Sequence, residues 1–272
     1  MAAPEKPGGD IAPEGGRDSW RPLSAHTPAR IALGRAGGSL RTESLLELRL
    51  AHAGARDAVH SAFDAAALEK EIQAQGLATE RLATAASDRA TYLARPDLGR
   101  ILDPESEARL HARAAAWGTR DLAIIVSDGL SARAAAGHAA VTVAELAKAL
   151  SGSGWTLYPI LVVPYARVKI QDAVGAILGA RHSVILLGER PGLSAHDSLG
   201  AYLTFDPRAE RTDADRNCVS NIRGGGLPPL SAARKIAGLL IESRRLGLSG
   251  TALRDPDGGH DAELRAGPPR VA

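Results

Sequence analysis

Two short, uninterrupted apolar runs, Leu122-Ala123-Ile124-Ile125-Val126 and Val184-Ile185-Leu186-Leu187, do most to limit what this chain can fold into. Both are too short for a helix and neither alternates with polar residues, as expected for parallel strands covered on both faces. Each breaks into a polar, glycine-bearing loop: Ser127-Asp128-Gly129-Leu130-Ser131 after the first, Gly188-Glu189-Arg190-Pro191-Gly192-Leu193-Ser194 after the second. Gly188 and Gly192 permit positive φ and close backbone approach, Pro191 stiffens the turn, and Glu189 and Arg190 fall at the carboxyl end of the strand. Ligands of open α/β sheets bind at such ends. Two strands thus deliver polar loops to one edge, as a ligand site or as a pair of ordinary turns with surface charges.

The segments around these runs alternate. A helix is expected over Ser131–Leu150, a strand over Trp155–Val163 and a helix over Val168–Leu178, which places Val168 in the core on pattern alone. Alternating strands and crossover helices imply an α/β fold with a Rossmann-like parallel sheet, here assigned to residues 119-255. No strand is followed by G-x-G-x-x-G, which argues against a nicotinamide dinucleotide. Ser198–Phe205 reads as a further strand ended by Asp206-Pro207, and Thr212 with Asp215 as the cap of a short helix inside the polar stretch Arg211–Arg223. Cys218 lies in that stretch, either as a site residue or as a small buried hydrophobe, with no neighbouring histidine to activate it. Ser231–Leu246 closes the pattern as an amphipathic helix with Gly247 past its end.

A helical region, residues 25-118, precedes this domain. The loop Gly34-Arg35-Ala36-Gly37-Gly38-Ser39 leads to Thr42, which can cap a helix beginning near Glu43, but its glycines lack the spacing and the Lys-Ser/Thr of a phosphate loop. Arg49, His52, Arg56 and His60 form a basic stripe on that helix, opposite Leu45, Leu48, Ala55 and Val59. Ala65 to Leu93 reads as a second helix with Gly76 as a break, and Asp103, followed by Pro104, caps a third. Residues 1-24, rich in Gly, Pro and charge, are expected to be a disordered extension, and 256-272 a frayed tail.

Composition narrows the function. A net charge of +2 from 33 basic and 31 acidic residues gives no global field to gather nucleic acid or anionic lipid. One cysteine excludes an internal disulfide and a cysteine-cluster metal site and suits a reducing cytoplasm. No apolar run approaches the roughly 20 residues needed to span a bilayer.

Arg30-Ile31-Ala32-Leu33-Gly34-Arg35, Val126-Ser127-Asp128-Gly129-Leu130-Ser131, Gly188-Glu189-Arg190-Pro191-Gly192-Leu193 and Asn217-Cys218-Val219-Ser220-Asn221-Ile222-Arg223 together closely resemble the small-subunit family of the ethanolamine ammonia-lyases, over about Trp20 to Asp255. The resemblance implies a carbon–nitrogen lyase that converts ethanolamine to acetaldehyde and ammonia with adenosylcobalamin. It implies a TIM-barrel large subunit as partner, in a hetero-oligomer of six pairs with cobalamin between the two chains. Carried over by motif, the cobalamin contacts fall on Val168, Glu189 and Cys218, with the catalytic residues on the large subunit and no metal ligand in this chain. The Asp-x-His-x-x-Gly signature of histidine-ligated cobalamin is absent, which implies a base-on cofactor. The expected location is the cytoplasm, with or without a bacterial microcompartment, whose targeting finds no support in the N-terminal extension. The alternative is a scaffold subunit that stabilises its partner without touching the cofactor.

Overall fold

The structure is a computed structural model that describes residues 20–27 and 29–255. Most of the expected N-terminal extension and the tail from residue 256 lie outside the described residues. The chain divides into two compact units that meet between Gly54 and Ala55.

In the first unit, a 3-10 turn over Arg21–His26 precedes a small hairpin of β1 (Arg35–Ala36) and β2 (Ser39–Leu40). The glycine loop read from the sequence is therefore the turn of this hairpin, where Gly37 takes a φ of 61° that favours glycine. Helix α1 (Thr42–His60) follows and runs on past the boundary. Its basic stripe, Arg49, His52, Arg56 and His60, is exposed, while Leu45, Leu48, Ala55 and Val59 are half-buried.

The second unit contains, in chain order, α2 (Ala65–Ala74), β3 (Thr79–Arg81), α3 (Arg89–Ala94), α4 (Pro104–Trp117), β4 (Leu122–Ser127), α5 (Ala132–Ala134), α6 (Ala140–Leu150), β5 (Ile160–Val162), α7 (Ile170–Leu178), β6 (His182–Gly188), β7 (Leu199–Phe205), β8 (Arg216–Ile222) and α8 (Pro229–Leu246). A π-helical turn, Ala135–Ala139, joins α5 to α6. Asp103 caps α4 by accepting from the Glu105 and Ser106 N–H groups, and α8 ends at Gly247 in the left-handed region, both as their sequences suggest. The Ala65–Leu93 segment is not one helix. It stops at Gln75, Gly76 takes a φ of 80°, and Thr79–Arg81 pairs with β5, so strand pairing prevails over local helix propensity.

The sheet order is β3-β5-β4-β6-β7-β8. Strands β3, β5, β4 and β6 are mutually parallel, but β7 runs antiparallel to β6 and β8 antiparallel to β7. The fold is thus α/β with a mixed sheet, and the expectation of a parallel sheet holds for four strands only. The reason is local: Leu199–Phe205 returns along β6 without a crossover helix, and only an antiparallel partner can be reached that way.

Alternate residues of β4 enter opposite cores. Leu122, Ile124 and Val126 pack with α2, α6 and α8, whereas Ala123 and Ile125 pack with α4 and α7. That two-sided burial explains the uninterrupted apolar run, each Ile or Leu stabilising by roughly 1.5–3 kcal/mol. The exits of β4 and β6 press together. A Cβ on Gly129 would lie 2.3 Å from the Gly188 carbonyl oxygen, and one on Gly188 would lie 2.1 Å from that of Ser131. Farther along the sheet the cover is one-sided. Leu199, Ala201, Leu203, Val219 and Ile222 pack under α8, while Tyr202 and Cys218 occupy the opposite face. Among the described residues no helix is long and apolar enough to cross a membrane.

Candidate functional site

The less covered face of β7 and β8 floors a hollow of about 680 Å³. Tyr202 and Cys218 are cross-strand partners on that floor, so their side chains stand side by side. Arg167, Val168 and Lys169, from the segment entering α7, form one wall. Pro96 and Arg100 form a second, and Arg211, Thr212 and Asp213 a third.

Polar groups beneath the surface hold these walls. Asp128, wholly buried at the exit of β4, receives the Tyr165 backbone N–H at 2.7 Å and an Arg89 guanidinium N–H at 2.6 Å. Ser127 Oγ accepts the Ala166 N–H at 3.0 Å. The first polar exit loop therefore anchors the segment that leads to Val168. Burial pushes the Asp128 carboxyl up, against the Tyr165 N–H and the Arg89 charge, which favour the ionised form. A second buried pair lies closer to the floor. Arg216, on β8, donates to both oxygens of Asp172, on α7, at 2.7 and 2.8 Å, and to Thr204 Oγ1 at 3.1 Å. Lys169 Nζ stands 3.0 Å from the same carboxylate. These contacts tie the Val168 wall to the Cys218 strand. Thr212 and Asp215 form the capping box expected from their spacing, the Thr212 N–H donating to Asp215 at 2.7 Å.

Val168 and Cys218, separated in sequence by a helix and two strands, thus line one hollow. Glu189 follows β6 and stands beside the hollow rather than on its lining. One carboxylate oxygen, Oε2, accepts from the Ser198 hydroxyl and from the Asn221 N–H at 3.2 Å. Its other oxygen, Oε1, accepts no hydrogen bond among the described residues and would lie 2.8 Å from a Cβ placed on Gly200. Glycine at 200 leaves the space this carboxylate occupies. Loss of water around the Cys218 sulfur, followed by the Glu189 charge, pushes the thiol up, while a hydrogen bond with Tyr202 opposes them. Desolvation, then Cys218 and Glu189, likewise raise the Tyr202 hydroxyl. Both groups are neutral near neutral pH, giving a floor of one phenol and one thiol.

Sequence reasoning did not find Tyr202, Arg100 or Arg167. Tyr202 carried a signal, as a polar-tipped residue that shares alternate register with Thr204 in an otherwise apolar strand, but the neighbouring strand β8 was needed to interpret it. The polar Arg211–Arg223 stretch concealed β8, because a strand open on one face need bury only some positions, here Arg216, Val219 and Ile222.

The model of the ethanolamine ammonia-lyase light chain family matches residues 17–254. The chain is 52% identical over 240 residues to the ethanolamine ammonia-lyase small subunit of Xanthomonas campestris pv. campestris (strain ATCC 33913), covering 88% of each chain. It is 52% identical over 237 residues to that of Azotobacter vinelandii, covering 87% of this chain and 88% of the relative. To the small subunit from Pseudomonas aeruginosa (strain LESB58) the identity is 48% over 248 residues, covering 91% and 89%. With a match that runs unbroken through both units and every wall of the hollow, this chain belongs to the ethanolamine ammonia-lyase light chain family.

Proposed function

We propose that this chain is the small subunit of an adenosylcobalamin-dependent ethanolamine ammonia-lyase and that its hollow holds one side of the cobalamin, facing a large subunit that binds ethanolamine and carries the reaction. The observation that carries this reading is the meeting of Val168 and Cys218 in one hollow, with Glu189 beside it. Its volume, about 680 Å³, is that of a small-molecule site. Cobalamin presents methyl groups and amide side chains at its rim. Val168, Pro96 and the Tyr202 ring suit the methyls. Thr212, Asp213 and the Tyr202 hydroxyl offer the donors and acceptors that amides require, with the Glu189 carboxylate beside them. The residues present fit the group.

When bound, the cofactor supplies the radical that takes hydrogen from the substrate, and the protein supplies binding and orientation. This chain's share is to present a neutral, partly apolar floor and to keep it rigid through the Arg216–Asp172 and Arg89–Asp128 pairs. None of its side chains is assigned the role of acid, base or nucleophile. The same reading keeps the cofactor base-on, the assembly at six pairs, and the location in the cytoplasm, with or without a surrounding microcompartment.

The test is titration of the complex, co-expressed with its large subunit, with adenosylcobalamin. Cys218→Trp fills the floor and is expected to weaken binding at least about tenfold, and Glu189→Ala, which removes one acceptor, to weaken it roughly tenfold, while both subunits still co-purify. Unchanged affinity in both variants rejects the reading and leaves a scaffold subunit.

A further inference from the structure

The cations around the hollow are not equivalent. Arg216 is neutralised by Asp172, Lys169 donates to the Ala209 and Arg211 carbonyls beside the same Asp172, and Arg211 pairs with Asp206 and Asp215. Arg100 and Arg167 are different. Arg100 is exposed; its backbone N–H donates to the Asp97 carbonyl at 3.1 Å, but its side chain makes no hydrogen bond or ion pair among the described residues. Arg167 buries its Nε, which has no acceptor among the described residues, and its guanidinium lies over the Tyr92 ring at 4.2 Å. Its one recorded side-chain hydrogen bond, to the Tyr92 carbonyl, is a long 3.5 Å.

The backbone holds these two arginines together. The Arg167 N–H donates to the Gly99 carbonyl at 2.7 Å, in the residue preceding Arg100. A Cβ on Gly99 would come within 2.7 Å of the Tyr165 carbonyl oxygen and 3.1 Å of Arg167 Cγ, so the close approach requires glycine. Stacking on Tyr92 fixes the plane of one guanidinium. The Arg167 Nε is sealed off, so the fork it can turn to the hollow is its terminal amino groups, and Asp97, the carboxylate nearest Arg100 in sequence, already pairs with Arg95 at 2.7 Å. The carboxylate on the lining, Asp213, belongs to another wall, with Arg211 and Thr212, and stands 3.4 Å from Arg216.

We propose that Arg100 and Arg167 form an anion subsite of the hollow and that its ligand is the phosphodiester in the nucleotide tail of the bound cofactor. This rests on the cobalamin reading above and adds an orientation to it: the tail lies toward the Pro96–Arg100 wall, and the ring lies over Tyr202 and Cys218. A phosphodiester carries one negative charge and two oxygens that accept from guanidinium forks, which is the chemistry these arginines lack in their own chain. The subsite gives the small subunit a means of telling a complete cofactor from a truncated corrinoid.

The experiment compares cyanocobalamin with cyanocobinamide, which lacks the phosphodiester and the base, as ligands of the co-expressed complex, by absorbance titration. Arg100→Gln, an exposed change that touches no core residue, is expected to weaken cobalamin roughly ten- to hundredfold and to leave cobinamide unchanged. Arg167→Lys keeps a charge but loses the planar fork and is expected to show a smaller loss with the same selectivity. Equal losses for both ligands, or no loss for either, overturn the proposal. So does a loss confined to binding of inorganic phosphate, which would assign the pair to a free anion, or a weakened association of the subunits at an unchanged cobalamin-to-cobinamide ratio, which would assign it to an acidic group of the partner. Cys218→Trp separates the two readings. If it weakens both corrinoids while Arg100→Gln is silent, only the subsite fails; if it weakens neither, the underlying reading fails.

Discussion

The parallel and antiparallel halves of the one sheet are built to opposite specifications. Every residue of β4, β5 and β6 is buried, and the exits of β4 and β6 touch at Gly129 and Gly188 with no room for a methyl group. In β7 and β8 the side beneath α8 is apolar, while the other side carries Tyr202 and Cys218 to an open hollow. The half that resembles a ligand-binding edge by its glycine loops is closed by its own packing, and the half that offers a site lies two strands farther along. A polar loop at a strand exit can therefore anchor a neighbouring wall instead of meeting a ligand, as Asp128 does for the segment leading to Val168.

This contrast predicts where substitutions act. The largest effect is expected for Asp128→Ala in the closed half, which leaves the Tyr165 N–H without its acceptor and the Arg89 guanidinium, with 14% of its side-chain surface exposed, without its carboxylate and with only the Gly129 and Val59 carbonyls. Breaking a buried pair from one side costs about 3–5 kcal/mol, to be read as a shift in the urea unfolding midpoint. A loss below about 1 kcal/mol would mean that the two halves differ in sequence but not in how tightly they are held.

The seam between the halves carries the next largest effect. His182 begins β6, pairing in register with Leu122 of β4 on one side and Phe205 of β7 on the other. Its ring stacks edgewise against Trp155 and Phe205, its Nε2 lies 3.1 Å from Ser243 Oγ, and burial, followed by the Arg181 charge, lowers it to about 4. The folded value lies below the ordinary 6.5, so folding favours the neutral ring. Its contribution is complete above pH 6.5 and is lost as the pH falls from there toward 4. The loss amounts to roughly 3 kcal/mol, and His182→Gln is expected to remove that part of the slope when unfolding is followed across this range. An unchanged slope would show that the seam does not exclude the charged ring.

What could be read in the sequence follows the same division. Strands β4 and β6 are legible because burial on both faces demands an unbroken apolar run, and the helix ends at Asp103 and Gly247 are legible because caps are local chemistry. Strand β8 was not legible, because Arg216, Asn217 and Ser220 are accommodated there by a buried partner, a loop contact and solvent, none of them local in sequence. Strand β3 is too short to show a period and acquires its identity from pairing with β5. Of the hollow, the family motifs carried Val168 and Cys218 on the lining and Glu189 beside it. Tyr202, Arg100 and Arg167 became visible only once register and wall positions were known.

Glu189 belongs by sequence to the closed half and by its field to the open one, and this dual position supports the smallest prediction. Its Oε2 is held by Ser198 and Asn221, yet its charge is one of the two influences that push the Cys218 thiol up. The thiolate is the form that reacts with alkylating agents, so iodoacetamide should modify Cys218 more slowly than a free cysteine at pH 8. Glu189→Gln removes the charge while keeping an oxygen acceptor for the Asn221 N–H, and the rate is expected to rise roughly threefold as the thiol descends toward its ordinary value. Tyr202→Phe should move the rate the other way, because the Tyr202 hydrogen bond opposes the rise. Opposite signs from two neighbours of one sulfur would place the Glu189 carboxylate on the open face electrically, although its hydrogen bonds lie with the loop. A rate indifferent to Glu189→Gln would confine the residue to bracing the exit of β6, with its hold on strand β8 passing through Asn221.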